Sequence, residues 1–193
     1  MIGSELDLYI TKVKEGDSHA FKYIVEKFQA LAFNIALPIV KNEADAEEVV
    51  QDAFVKIYRF INQYNGESRF SSWLYKVVYN TALTKASMNS KQFLRSQEIE
   101  KNIIHKAHKW SNEIEEDFES EYLKRYISNA LDKLPETDRL IVTLFYLGEK
   151  SIVEIAEITS WKKSKCKVKL MRARQKLAEI IKEAKKETHE ATM

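Results

Sequence analysis

A chain of 193 residues can bury one hydrophobic core or two small ones, and 45% apolar residues with only four glycines and two prolines exclude a disordered protein in favour of a helix-rich one. The formal net charge of +2 sums opposed regions, acidic around Glu43, Asp45, Glu47, Glu48 and Asp52 and basic toward the C-terminal end. Such asymmetry points to a nucleic-acid surface in one place and a protein surface in another. The single Cys166 excludes an internal disulfide framework and a cysteine-rich zinc site, which fits a reducing cytoplasm. The N-terminal residues lack an apolar core after a basic start, and no apolar run approaches bilayer length, so neither a signal peptide nor membrane insertion is expected.

Taken in order, Leu6 to Val13 is a short amphipathic segment ending at Gly16. Asp17 and Ser18 offer N-caps for a long helix through Leu37, with Phe21, Ile24, Val25, Phe28, Leu31, Ala32 and Ile35 on its apolar side and Pro38 tightening or kinking its last turn. Asn42 or Asp45 opens the next helix, whose buried side is Ala46, Val49, Val50, Ala53, Phe54, Ile57 and Phe60 or Ile61. Asp45, Glu48 and Asp52 fall at i, i+3 and i+7, so their carboxylates share one stripe. No histidine or other ligand sits at helical spacing beside them, which disfavours acid–base or metal chemistry and leaves a docking surface or a plain solvated face.

The polar break NQYNGESRFSS turns at Gly66, and Ser71 or Ser72 can cap the helix that follows. There Trp73, Val77, Asn80 and Thr84 follow one line, with Lys76, Tyr79 and Lys85 on neighbouring faces. Rings beside lysines and an asparagine are the ingredients of a surface for unstacked bases, although Phe70 and Trp73 suit a core equally well. From about Met88 to Ser120 the pattern loosens into a linker, with an acidic run from Glu113 to Glu121. His105 and His108 are spaced i, i+3, and with no third ligand they do not make a metal site.

Helical periodicity resumes with Leu123, Ile127, Ala130, Leu131 and Leu134, and Pro135 fits the first turn of a further helix that stops at Gly148. Ser151 with Glu154 forms a capping box, and the helix it starts breaks at Thr159-Ser160. The next helix runs at least to Leu177, burying Cys166, Leu170, Ala173 and Leu177 while Lys165, Lys169, Arg172 and Lys176 repeat the same spacing one step away. From Lys162 to Lys176 every charged side chain is basic, so the helix has no acidic i, i+4 partner of its own. Two helices, the second basic, across a tight break form a helix-turn-helix, whose second helix enters the major groove. Cys166 on the apolar stripe reads as a buried structural thiol in preference to a redox switch.

The expected fold class is all-α: two small helical domains, 1–88 and 121–193, joined by a flexible linker at 89–120, the C-terminal one containing the helix-turn-helix. The segment LDKLPETDRLIVTLFYLGEKSIVEIAEITSWKKSKCKVKLMRARQKL resembles the promoter-recognition domain of bacterial sigma factors. DAEEVVQDAFVKIYRF with GESRFSSWLYKVVYNTAL resembles their core-binding and promoter-melting domain. Both matches in that order, with nothing resembling the extra domains of housekeeping sigma factors, point to the extracytoplasmic-function (ECF) group.

That resemblance implies roles residue by residue. Asp45, Glu48, Gln51 and Asp52 match the stripe that docks on the clamp helices of the largest subunit of RNA polymerase core. Asn65, Gly66, Glu67 and Ser68 of the loop, with Trp73, Lys76, Tyr79 and Asn80 of the helix, match elements that open the minus-ten region and hold its non-template strand. Lys162, Lys163, Ser164, Lys165, Lys167, Lys169, Arg172 and Arg174 match the helix that reads the minus-thirty-five element. Such a protein is a cytoplasmic, non-catalytic subunit without a cofactor or metal. Its partners are core polymerase, promoter DNA and an anti-sigma factor that holds it inactive.

The sequence departs from the family in three places: Ser160 stands where Gly is common, a lysine-rich run replaces a Pro-Val-Gly-Thr-Val-like one at Lys162 to Cys166, and Thr84 to Ser87 lacks a basic cluster. Ser160 would cost about 1 kcal/mol if held left-handed. The alternatives are a stand-alone helix-turn-helix regulator, which would bind a palindromic duplex tightly without polymerase, and a protein-only interaction adaptor, which would show no DNA dependence. No nucleophile–base pair, phosphate loop or metal cluster supports an enzyme.

Overall fold

The computed structural model describes the backbone of residues 5–96 and 129–190, with side chains within 5–90 and 129–183. His105, His108, the acidic run from Glu113 to Glu121, Leu123 and Ile127 lie outside the described residues, as does most of the expected linker. The chain divides into two compact units, Met1–Trp110 and Ser111–Met193. Among the described residues all regular structure is helical.

In the first unit α1 (Glu5–Lys14) lies on α2 (Ser18–Val40), and α2, α3 (Glu43–Phe60) and α4 (Phe70–Ser96) each pack on the other two. The caps follow from the sequence. Asp17 accepts from the N–H groups of His19 and Ala20 at 2.9 and 3.2 Å, and Asn42 Oδ1 accepts from the Asp45 N–H at 3.0 Å. Ile24, Ala32, Ile35, Val49, Ala53, Ile57, Leu74 and Val78 form the centre of the core.

Three expectations are corrected here and one open alternative is resolved. α2 passes through Pro38 and ends at left-handed Lys41, whose N–H donates to the Leu37 carbonyl at 2.8 Å; the missing proline N–H forfeits one bond in a final turn that packing already holds. α2 is also long and apolar enough, by length and composition alone, to cross a membrane, whereas no such run was expected. Its packing against three other helices gives the apolar residues a core to occupy. Of the pair at the end of α3, Ile61 is buried and Phe60 exposed. α4 starts at Phe70, ahead of Ser71 and Ser72, and continues past residue 88 to Ser96.

In the second unit residues 129–132 are helical, followed by α5 (Glu136–Val142), which widens into a π turn (Thr143–Leu147), then α6 (Ile152–Thr159) and α7 (Lys163–Glu190). Pro135 is the N-cap of α5 instead of its first residue, and its carbonyl accepts from the Asp138 and Arg139 N–H groups at 2.8 Å each. Leu140, Ile141, Leu144, Ile155, Ile158, Cys166, Leu170 and Ala173 form a core between α5, α6 and α7. The helix stops at Gly148 as expected, but for another reason. Gly148 keeps a right-handed φ of −84°, and a Cβ there would stand 2.8 Å from the Leu144 carbonyl oxygen. Glu149 takes the positive φ, 51°.

Candidate nucleic-acid and protein-docking surfaces

The helix-turn-helix is assembled from local bonds first. Ser151 Oγ accepts from the Glu154 N–H at 3.3 Å while Glu154 Oε2 accepts from the Ser151 N–H at 2.9 Å, closing the capping box at the start of α6. The turn to α7 passes through Ser160 at φ 58°, ψ 23°, the left-handed conformation for which Gly has no penalty. Thr159 holds it from inside: its hydroxyl donates to the Ile155 carbonyl at 2.7 Å and accepts from the Trp161 N–H at 3.3 Å. Cys166 is fully buried beneath this turn, and burial pushes its thiol pKa up.

α7 sorts its cations in a way that spacing could not show. Lys162, Lys163, Ser164, Lys165, Lys167 and Arg172 are exposed, with the Lys165 ammonium 4.6 Å from the centre of the Trp161 ring. Arg174, also exposed, lies over Phe145 and Tyr146 of the π turn at 5.0 and 5.4 Å. Lys169 does not project outward with the others. Its ammonium donates to Thr137 Oγ1 at 2.6 Å and Asp138 Oδ1 at 3.4 Å, and Lys176 reaches Asp138 Oδ2 at 2.7 Å. The acidic partner missing from residues 162–176 is therefore supplied by α5. Asp138 was missed because its signal is divided: an Asp in a first helical turn and, far along the chain, two lysines seven residues apart.

In the first unit the loop between α3 and α4 is tied down at both ends. Tyr64, which sequence reasoning passed over, donates its hydroxyl to the Ser68 carbonyl at 2.7 Å, and its own carbonyl accepts from Lys14 at 2.7 Å. Its ring packs against Phe70 and Trp73 with centres 5.2 and 5.7 Å apart, and burial first, then the charge of Asp7, pushes the phenol pKa up. Asn65 Oδ1 accepts from the Glu67 N–H at 3.2 Å, and Gly66 takes φ +80°, so the tip is a tight turn with Asn65, Gly66 and Glu67 exposed and Ser68 half-buried. Trp73 is half-buried, and Lys76 and Asn80 are exposed. Tyr79 departs from expectation: only 6% exposed, it belongs to the core, because the face of α4 turned to α2 and α3 runs through Leu74, Tyr75, Val78, Tyr79 and Ala82.

The acidic stripe of α3 divides as well. Asp45 accepts from Asn89 at 2.9 Å and faces Lys85 at 3.5 Å, and Glu48 pairs with the same lysine. The hydrogen bond that Lys85 donates to Glu48, with the two carboxylate charges, raises the ammonium pKa above its ordinary value. Gln51 and Asp52 are exposed. Among the described residues no group of three or more His, Cys, Asp or Glu is placed to hold a metal ion.

Residues 24–92 match the family model for sigma-70 region 2, and residues 124–177 match that for sigma-70 region 4. The first contains the acidic stripe, the loop and α4; the second contains the helix-turn-helix. Similar curated proteins include the ECF RNA polymerase sigma factor SigW of Bacillus subtilis, 26% identical over 90% of this chain and 95% of its own. The ECF RNA polymerase sigma-E factor of Escherichia coli K12 is 29% identical over 86% and 88%. Among solved structures, the chain has the fold of CnrH, determined with the cytosolic domain of CnrY, at a TM-score of 0.56 and 19% identity over 91% of this chain and 96% of that one. It likewise has the fold of the sigma factor RpoE of Bartonella quintana, determined with the anti-sigma factor NepR, at a TM-score of 0.61 and 21% identity over 84% and 96%. With region 2 and region 4 in order on one chain and relatives matched over nearly their whole length, this protein belongs to the sigma-70 family of RNA polymerase sigma factors, in the ECF group.

Proposed function

We propose that this sigma factor docks on core RNA polymerase through α3, brings it to promoters through α7, and helps open the minus-ten region with the loop and exposed face of α4. The observation that carries this reading is the presence, on one chain, of an exposed acidic and amide pair on α3 and a capped helix-turn-helix whose second helix begins with exposed cations. Gln51 and Asp52 are the docking residues open to a partner, with Asp45 and Glu48 behind them on Lys85. Asn65, Gly66, Glu67 and Ser68 with Trp73, Lys76 and Asn80 receive the unpaired strand. A base captured on an aromatic or amide surface offsets an unstacking cost of a few kcal/mol, so melting needs no chemistry and the protein acts as a non-catalytic subunit in the cytoplasm.

In the minus-thirty-five element, Lys162, Lys163, Ser164, Lys165, Lys167 and Arg172 meet the duplex, lysines on phosphates and Arg172 able to bond a guanine edge with roughly 1 to 3 kcal/mol of discrimination. CnrH and the Bartonella RpoE were each solved with a protein partner, the latter a named anti-sigma factor. We extend that to an inhibitory protein partner here. The domain division at 1–88, 89–120 and 121–193 belongs to the same reading, with α4 reaching beyond its first boundary.

The test is promoter-directed transcription by purified bacterial core polymerase on a library of genomic fragments from the source organism, with and without this protein. Run-off products that require it are expected. Asp52→Lys, in a variant with unchanged helix content, should reduce them about tenfold or more, the effect of losing ~1.4 kcal/mol of docking energy. No core binding together with tight binding to a symmetric duplex would replace this reading by a stand-alone regulator.

A further inference from the structure

The basic helix of the helix-turn-helix is braced on an anion supplied by α5. Lys169 and Lys176 stand two turns apart on one face of α7 and both close on one carboxylate, at 3.4 and 2.7 Å from the two oxygens of Asp138. Lys169 is held a second time by Thr137 at 2.6 Å. The Asp138 side chain is 5% exposed, against 29% for Lys169 and 48% for Lys176. A carboxylate removed from water in this way needs opposite charge beside it, and drawing both lysines toward a phosphate would leave it uncompensated. Lys162, Lys163, Lys167 and Arg172 differ: they are exposed and make no ion pair among the described residues.

We infer that Asp138 is a positioning residue for DNA binding, which keeps Lys169 and Lys176 on α5 and limits phosphate contact to the exposed cations of α7. The inference rests on the reading that α7 lies against DNA. Without Asp138 the two lysines would swing out and add contacts that every sequence offers equally. Non-specific binding would then rise relative to promoter binding. Asp138 also fixes the face that α7 presents, since the lysines tie the middle of that helix to the first turn of α5.

Counterion release makes this countable. The logarithm of the binding constant falls with the logarithm of salt concentration by about 0.9 for each phosphate neutralised. The experiment measures binding of the full chain to a labelled mixed-sequence duplex across a potassium chloride series. Lys167→Met should lower the slope by about 0.9, whereas Lys176→Met should leave it unchanged. Asp138→Asn, nearly isosteric and neutral, should steepen it by about 1 to 2, and adding Lys176→Met to that variant should bring it back by about 0.9.

Loss of slope in Lys176→Met equal to that in Lys167→Met would overturn the inference, as would an unchanged slope in Asp138→Asn with native helix content. Should Asp138→Asn fail to fold, the comparison of Lys176→Met with Lys167→Met decides alone, because Lys169 remains on Asp138 in that variant. A wild-type chain that directs transcription while these slopes fail loses only this inference. A chain that binds no duplex at any salt and directs no transcription with core polymerase loses it together with the DNA-binding reading.

Discussion

Each unit of this protein sets lysine against carboxylate, and the two clusters do different things. In the first, Lys85 lies between Asp45 and Glu48, whose side chains are 26% and 56% exposed, and is itself 21% exposed. In the second, Lys169 and Lys176 close on Asp138, whose side chain is 5% exposed. A pair whose carboxylate keeps contact with water contributes between zero and about 1 kcal/mol and can exchange one partner for another. A buried carboxylate has no such freedom, since losing its counter-charges leaves it stranded away from water. Burial of the carboxylate, more than the number of charges, separates an exchangeable pair from an internal brace.

The strongest way to break this comparison is to remove both counter-charges of the buried cluster. Lys169→Met with Lys176→Met should destabilise the second unit by about 3 kcal/mol, read as faster amide hydrogen exchange in α6 and α7 with the first unit unaffected. A loss no larger than that of an exposed pair would equate the two clusters. Ser151→Ala removes half of the capping box and should cost about 1 kcal/mol in the same exchange measurement, concentrated in α6. Ser160→Gly acts in the opposite direction. Relief of the left-handed strain exceeds the added freedom of the unfolded chain, for a gain of roughly 0.5 kcal/mol seen as slower exchange around the turn.

The smallest effect belongs to the first cluster, where Lys85→Met should change the stability of the first unit by less than about 0.5 kcal/mol. The direction of the thiol shift adds a pH test of burial. Since burial raises the Cys166 pKa, modification by a thiol reagent in the folded chain should stay slow through the ordinary thiol range and accelerate only above it, whereas unfolded chain reacts within that range. Rapid labelling of folded protein near neutral pH would place Cys166 at an accessible surface.

Much of the fold was legible because it rests on local chemistry. Asp17, Asn42 and the Ser151 and Glu154 pair cap the helices they were expected to cap, because those bonds need only three or four consecutive residues. Of the stripe, Cys166, Leu170 and Ala173 are buried as the spacing requires while Leu177 is only half-buried, and Ser160 takes the left-handed turn that the family meets with Gly. What failed was the fate of single side chains on faces of mixed character. Tyr79 stands between two valines and the polar Asn80 and Thr81 in the sequence, and a small rotation of α4 decides whether it faces α2 and α3 or solvent. Pro38 was expected to mark the end of a helix that packing carries to Val40.

The sequence by itself determined the all-helical composition, the order of a core-binding and a DNA-binding domain, and the capped helix-turn-helix, because periodicity and caps act within one helix and family motifs are read along the chain. Tertiary structure alone decided which charges face outward. Lys169 and Lys167 are near neighbours in a uniformly basic run, but one is drawn to Asp138 and the other is exposed. That assignment depends on a carboxylate about thirty residues away in sequence and within hydrogen-bonding distance in space. Long-range pairing of this kind is a property of packed helices and leaves no periodic trace in either one.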